Sequence, residues 1–251
     1  MDKFKLIFQV FTAALLFLFF TGSVFSQSDI FLDVKVKEGF LLIPSCSDFE
    51  ITGKGTSVEW EKAGWVNIPQ RTGQSDTLIT KAKVLYSESG IYFLFDCEDK
   101  ILTATMTEDN LRLWEEDVVE VFLWPEESFP VYFEYQISPL NYQLTILVPN
   151  NNGNFFGWLP WQYEGERKTR HETFILGGEK KSGALISGWM AEFYIPYALL
   201  TPLGNVPPTS GTRWRANMYR IDRDDETRAF SWQRTEGTFH DIKNFGTFIF
   251  K

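Results

Sequence analysis

The chain has 251 residues, with 33 acidic against 24 basic side chains and a formal net charge of −9. A deficit of Lys and Arg argues against nucleic-acid binding, which needs clustered basic groups to neutralise phosphate. An apolar share of 44% is too high for a disordered chain, and 9 Trp beside 24 Phe and 9 Tyr exceed what an ordinary core requires, which points to rings exposed for a purpose.

The first element is a targeting segment. Lys3 and Lys5 precede an apolar run from Leu6 to Phe20, and Val24-Phe25-Ser26 follows as a cleavage-like site. This is the pattern of a signal peptide over 1–26, cut after Ser26. The run is shorter than the roughly 20 residues a membrane span needs, and no Cys follows it to carry a lipid anchor. The expectation is a secreted or periplasmic protein whose residues 27–251 form a single domain, with no stable membrane insertion after cleavage. Cys46 and Cys97 are the only cysteines; an exported chain permits one disulfide between them, and two buried thiols are the alternative.

The body reads as strands. In chain order these are Ile91 to Cys97, Val118 to Trp124, Val131 to Ile137, Tyr142 to Val148, Trp189 to Ile195, Arg213 to Ile221 and Phe245 to Phe250. Val131, Phe133, Tyr135 and Ile137 share one face, as do Trp189, Ala191, Phe193 and Ile195, the period of two expected of half-buried strands. Turn signals at Ser89-Gly90, Pro139-Leu140-Asn141, Gly177-Gly178 and Pro207-Pro208 separate the runs. Short strands so punctuated predict an all-β, antiparallel sandwich, with single helical turns near Ile195–Leu200 and Asp109–Trp114. The longest stretch without a strand pattern runs from Pro149 to about Thr173 and carries Phe155, Phe156, Trp158, Trp161 and Tyr163. Its aromatics either fold back as a lid over a sheet edge or border a ligand site.

Glu120 is the residue with the clearest chemistry. It lies between Val119 and Val121, and a charge inside an apolar strand is costly unless paired or bonded. Its partner is an Arg such as Arg215 or Arg220, a metal, or a ligand hydroxyl. Alternation puts Glu120 on a face with Phe122 and Trp124, and Tyr132, Glu134 and Gln136 on one face of the next run. Arg215, Asn217 and Tyr219 likewise share a face, opposite Trp214, Ala216 and Met218. Carboxylates at Asp96, Asp99, Asp109 and Glu115 to Asp117 offer hard oxygen ligands for calcium, or form a solvated acidic rim.

The order of several segments resembles a known family. Ile51-Thr52-Gly53 and Trp60-Glu61-Lys62-Ala63 come first, then Val84-Leu85-Tyr86 and Gly90-Ile91-Tyr92-Phe93 with Asp99. Trp114-x-x-Asp117-x-x-Glu120-Val121-Phe122, Trp189-x-x-Glu192-x-x-Ile195-Pro196 and a terminal Asn244-Phe245-Gly246 follow. Over about residues 40–251 this is similar to the family 9 carbohydrate-binding modules, within the DOMON-like sandwiches. The resemblance implies a non-catalytic β-sandwich that binds mono-, oligo- or polysaccharides, often at reducing ends, in carbohydrate catabolism, with calcium as a structural ion for which Asp99 and Asp117 are the candidate ligands. It implies that a sugar is clamped between two aromatic rings, the first of them Trp114, with Glu120 bonding its hydroxyls. Where the family carries its second Trp, Phe239 or His240 stands here; Gln136 stands in place of a basic residue, and Tyr219 in place of an amide.

Other functions remain open from sequence. Glu120 with Glu134 could form the carboxyl pair of a glycoside hydrolase. Some DOMON-like sandwiches hold haem, for which His171, His240 and the Met residues are the available ligands. A sandwich whose sugar site has decayed to a structural or protein-binding role is the fourth reading.

Overall fold

A strand whose alternate residues are apolar has one face to bury, and two sheets of such strands bury it against each other. The computed structural model describes residues 39–74, 76–162 and 164–251 of the chain; the segment read as a signal peptide, 1–26, lies outside them. The elements are β1 (Phe40–Ile43), β2 (Val66–Asn67), β3 (Thr80–Tyr86), β4 (Gly90–Glu98), β5 (Val118–Trp124), β6 (Val131–Ile137), β7 (Gln143–Asn151), β8 (Asn154–Phe155), β9 (Leu159–Pro160), β10 (Arg170–Leu176), β11 (Gly188–Pro196), α1 (Tyr197–Leu200), β12 (Arg213–Asp222), β13 (Arg228–Ser231) and β14 (Gly246–Phe250).

The larger sheet runs β1-β14-β12-β5-β6-β7-β8, with β13 also on β12 and β9 on β7; the smaller runs β10-β11-β4-β3-β2. β1 is parallel to β14, and the other strand pairs are antiparallel. The expected antiparallel sandwich is therefore present. Val119, Val121, Phe133 and Tyr135 of the larger sheet meet Phe93, Phe95 and Phe193 of the smaller in one buried core. Trp189 and Trp214 lie in that core, as their phase requires. Among the described residues, no helix is long and apolar enough to cross a membrane.

One charged group passes through this apolar layer. Arg220 is on the same face of β12 as Ala216 and Met218, and is fully buried. Its Nη1 donates to Glu98 O at 2.6 Å and Thr80 Oγ1 at 3.0 Å, both on the opposite sheet. Its Nη2 donates to Asp99 at 3.0 Å and Asp222 at 2.8 Å, and Asp222 also accepts from Arg228 Nη1 at 2.9 Å. A buried guanidinium is tolerated here because two carboxylates, a carbonyl and a hydroxyl accept from Nη1 and Nη2, although Nε has no hydrogen-bond partner among the described residues. Glu192, from the Trp189-x-x-Glu192 motif, ties down the opposite side. Its carboxylate accepts from Trp60 Nε1 at 2.8 Å and from Thr52 N at 2.8 Å, anchoring the Ile51–Gly53 segment to the outer face of the smaller sheet.

Two expectations are corrected. The disulfide is not formed, and Cys46 and Cys97 are both free. Cys97 keeps phase with Phe93 and Phe95 and points into the inter-sheet core. Cys46 packs with Phe49 and Ile51 on the outer cluster of the smaller sheet, so the sheet separates the two thiols. The Pro149–Thr173 stretch is also more ordered than its pattern suggests. β7 continues to Asn151, turns through Asn152 and Gly153, both at positive φ, and pairs back as β8, with Asn150 opposite Phe155.

Arg220→Met would leave Asp99 and Asp222 buried without their cation and should lower the unfolding free energy by about 3–5 kcal/mol, read from urea denaturation. A loss under about 1 kcal/mol, the size of an exposed ion pair, would show that the network does not hold the sheets together.

Candidate functional site

The register of three strands builds the floor of the site. Glu120 on β5 lies opposite Gln136 on β6 and Tyr219 on β12, and Phe122 lies opposite Glu134 and Asn217. Because Val119, Val121 and Leu123 take the core side of β5, Glu120 and Phe122 must face outward, where a second apolar cluster surrounds them. A cavity of about 350 Å³ opens over this face, with Glu120, Phe122, Glu134, Gln136, Ile146 and Ile221 at its base. Its size lies at the small end of the roughly 300–1,000 Å³ of ligand pockets.

Loops raise the walls. The 3-10 turn Leu113–Glu115 carries Trp114, whose carbonyl accepts from Arg223 Nη2 at 3.0 Å. The β7–β8 hairpin brings Phe155 and Trp158, and Trp158 meets Trp114 edge to face, with centroids 6.1 Å apart. The segment before β14 supplies Thr238, Phe239 and His240. The His240 ring lies between Phe155 at 4.5 Å and Phe122 at 5.4 Å, nearly parallel to both. Its Nδ1 is bonded to the Tyr132 hydroxyl, and its carbonyl accepts from Asn150 Nδ2 at 2.9 Å.

Trp114, Glu120, Gln136, Phe239 and His240, all read from sequence, thus converge on one cavity. Tyr219 takes a different place: its ring stacks beneath Phe239 at 4.1 Å, and its hydroxyl donates to Phe239 O and accepts from Asn217 Nδ2, both at 2.8 Å. It supports the wall instead of lining the cavity. Phe122 and Thr238 line the cavity without having been singled out from sequence, whereas Glu134 had been considered only as a carboxyl partner of Glu120, and Phe155 and Trp158 only as aromatics of a loop that would cover a sheet edge or border a ligand site. Glu134 and Phe122 share the phase of Gln136 and Glu120, which was the available signal. Trp161 stands apart, its Nε1 donating to Leu199 O at 3.1 Å.

The floor is unusual in its polar balance. Glu120, Glu134 and Gln136 are only 2%, 3% and 1% exposed. Gln136 Nε2 donates to Glu134 Oε1 at 2.6 Å, yet Glu120 Oε1, Glu134 Oε2 and Gln136 Oε1 have no partner. Arg215 and Arg220 do not serve Glu120: Arg215 bonds the carbonyls of Gly246 and Phe245 and approaches Glu127, while Arg220 lies in the core. Burial pushes the Glu134 carboxyl up to about 8. Burial, then the adjacent Glu134, holds Glu120 well above the carboxylate range. Burial depresses His240 to about 4, so its 3.9 Å approach to Glu134 Oε2 joins two neutral groups near pH 7. Buried acceptors without donors are rare in folded chains and call for an external partner.

The acids considered as metal ligands form a separate group. Asp99 lies with Asp222 and Asp224, one oxygen of each within 4.8 Å of the others. Burial, with Asp222 and Asp224 adding to it against the pull of Arg220, raises Asp99 to about 7. Asp117 is buried close by, but its two oxygens accept the Thr103 and Arg223 amides at 2.6 and 2.8 Å. Asp224 is held through Oδ1 by Thr103 Oγ1 at 3.1 Å. Asp222 adds to the rise of both Asp99 and Asp224, and carboxylates so grouped suit a divalent cation, although Arg220 and Arg228 already supply part of the neutralising charge.

These features define a β-sandwich with an aromatic-walled, acid-floored pocket on one outer face. The family model described as "Carbohydrate family 9 binding domain-like" matches residues 51–251, and the chain belongs to that family. No curated protein sequence matches it. Among solved structures, it is similar to a candidate carbohydrate-binding protein from Bacteroides uniformis, with a TM-score of 0.69 and 15% identity over 84% of this chain and 99% of the other. It is also similar to a family 9 carbohydrate-binding module from Caldicellulosiruptor kristjanssonii. In complex with cellotriose that module gives a TM-score of 0.60 at 15% identity, covering 84% of this chain and 93% of the other. In complex with glucose it gives 0.60 at 16%, covering 84% and 95%.

Glu134 binds its proton more tightly in the folded chain than in the unfolded one, where it ionises near 4.5. The native state therefore carries the extra proton between those values, and the contribution of Glu134 to stability falls as pH rises from about 4.5 to about 8. Glu134→Gln should remove that loss, so that the variant gains on the wild type in urea midpoint between pH 5 and pH 8. A constant difference across that window would contradict the assignment.

Proposed function

We propose that the chain binds carbohydrate in the outer-face pocket and does not cleave it. The observation that carries this reading is the floor of three buried, unpartnered acceptors, Glu120 Oε1, Glu134 Oε2 and Gln136 Oε1, beneath flat aromatic walls. A pyranose has apolar C–H faces that pack on rings and hydroxyls that donate to such acceptors. Trp114 is the stacking surface of this reading, with Glu120, Glu134 and Gln136 as hydroxyl acceptors and Phe239 and His240 as the opposite wall. Family membership supports it, as do the complexes of the Caldicellulosiruptor kristjanssonii module with cellotriose and glucose. A glycoside hydrolase needs an ionised carboxylate facing a protonated one, whereas burial raises both Glu120 and Glu134. Export directed by residues 1–26, to the periplasm or beyond, suits a protein that meets saccharides during carbohydrate catabolism.

Titration calorimetry against a panel of mono- and oligosaccharides tests the reading. Trp114→Ala should weaken the ligand found by about ten-fold or more, equivalent to about 1.4 kcal/mol, without altering the melting temperature of the free protein. Absence of binding across the panel would reject it.

The same proposal places a structural calcium at Asp99, Asp222 and Asp224. Asp117 acts on that site through its charge, since its oxygens are occupied by backbone amides. An ion that binds only the folded chain at about 100 times its Kd adds about 2.7 kcal/mol of stability. Calcium should therefore raise the melting temperature, EDTA should lower it, and Asp224→Asn should abolish both responses. Identical melting curves in calcium and EDTA would remove calcium from the account.

A further inference from the structure

The floor of the pocket holds more acid than a neutral sugar needs. Glu120 and Glu134 occupy successive outward positions of paired strands, Glu120 facing Gln136 and Glu134 facing Phe122. Among the described residues, no Lys or Arg forms an ion pair with either. The described elements packed around the two acids supply no compensating ion pair. On β6, burial and then Glu134 raise the Tyr132 hydroxyl beyond the range in which it ionises; on β12, Tyr219 is raised by burial. From the segment before β14, His240 is neutral above about 4. Beyond β12, Arg223 works against the rise in the Glu120 pKa, and its Nη1 and Nη2 are bonded to Thr227 Oγ1 and Trp114 O at 2.9 and 3.0 Å.

The floor therefore offers three oxygens without partners, two of them on acids that become pure acceptors on losing a proton, and the rings of Trp114, Phe122, Phe155 and Trp158 line the cavity. An ammonium group has three donors and no acceptor, and aromatic faces attract cations. We propose that the preferred ligand is an amino sugar, a pyranose held among the rings with its ammonium group against the Glu120 and Glu134 carboxyls. The inference rests on the carbohydrate reading and narrows it. The ligand's positive charge replaces an acid proton: the carboxylic acid gives that proton to the buffer, and the carboxylate left behind pairs with the ammonium. Binding of an amino sugar is thus linked to proton release, and binding of a neutral sugar is not.

The test is calorimetry of the full chain with glucosamine, glucose and N-acetylglucosamine at a pH of about 6.5, where a sugar ammonium stays charged. Running it in phosphate and in Tris separates proton release from binding heat. Glucosamine should bind roughly ten-fold or more tightly than glucose, the scale of one charge-assisted hydrogen bond. Its heat should depend on the buffer, and N-acetylation should erase the gain. Glu134→Gln should abolish the preference for glucosamine over glucose and the buffer dependence of its heat, whatever the variant's remaining affinity for glucose; the same result with Glu120→Gln guards against a folding defect in one variant. Equal affinities for glucose and glucosamine, or no buffer dependence, would overturn the amino-sugar inference and leave the carbohydrate reading standing. No binding by any sugar would overturn both.

Discussion

The structure turns on the buried Arg220. It stands on the core face of β12, yet its hydrogen bonds reach Glu98 and Thr80 on the opposite sheet and Asp99 at the end of that sheet's central strand. Apolar faces alone tolerate small slips against each other, because hydrophobic contact is not directional. A guanidinium with fixed acceptors on both sheets does not tolerate them, since a displaced charge would be left unpaired in the core. Arg220 therefore sets how β12 lies across the sandwich, and β12 sets the register of β5. That register places Glu120 beside Tyr219 and Phe122 beside Asn217. The pocket floor on the outer face is thus held by a polar contact on the inner one, a single residue out of phase with it.

The two sides of the larger sheet treat charge in opposite ways. On the inner side, acids and guanidiniums are matched: Asp222 accepts from both Arg220 and Arg228. On the outer side, Glu120 and Glu134 have no such partner and are kept protonated by burial. Matching stabilises the fold, whereas leaving buried acceptors open costs stability that a donor entering the pocket recovers. Departures from good packing of this kind tend to gather at functional sites. The contrast within one sheet separates the scaffold from the pocket more clearly than composition does.

The strands were legible where their alternation is strongly apolar. β5 and β6 occur with the bounds their pattern predicts, Val118–Trp124 and Val131–Ile137. β10, an edge strand reading Arg170-His171-Glu172-Thr173 before its apolar end, carries too little apolar signal to be read that way. The two-residue strands β8 and β9 are set by where a hairpin lands. The same division applies to the site. Glu120 is conspicuous because a charge between two valines is a local anomaly. Glu134 was visible as a possible partner of Glu120 but is placed beside it only by cross-strand register, and Phe155 and Trp158 were visible as loop aromatics whose choice between lid and site is made only by the fold of the hairpin. Arg220 was considered only as a partner of Glu120, although it is in phase with Ala216 and Met218; its partners on the opposite sheet and at its end lie 121, 122 and 140 residues away in sequence. The disulfide failed for a related reason: an even cysteine count says nothing about which side of a sheet each thiol faces.

The wall that lacks the family's second Trp shows how a site can be rebuilt from smaller parts. Phe239 does not stand in for an indole by itself, because one of its faces is spent on Tyr219 at 4.1 Å. His240 has both faces covered, by Phe155 and by Phe122. What His240 can present to the cavity is therefore an edge, and an imidazole edge is polar where an indole face is apolar. The opposite wall keeps Trp114, braced edge to face by Trp158. A flat ring in the cavity would then have the Trp114 face to stack on, while His240 offers a polar edge instead of a second π-surface.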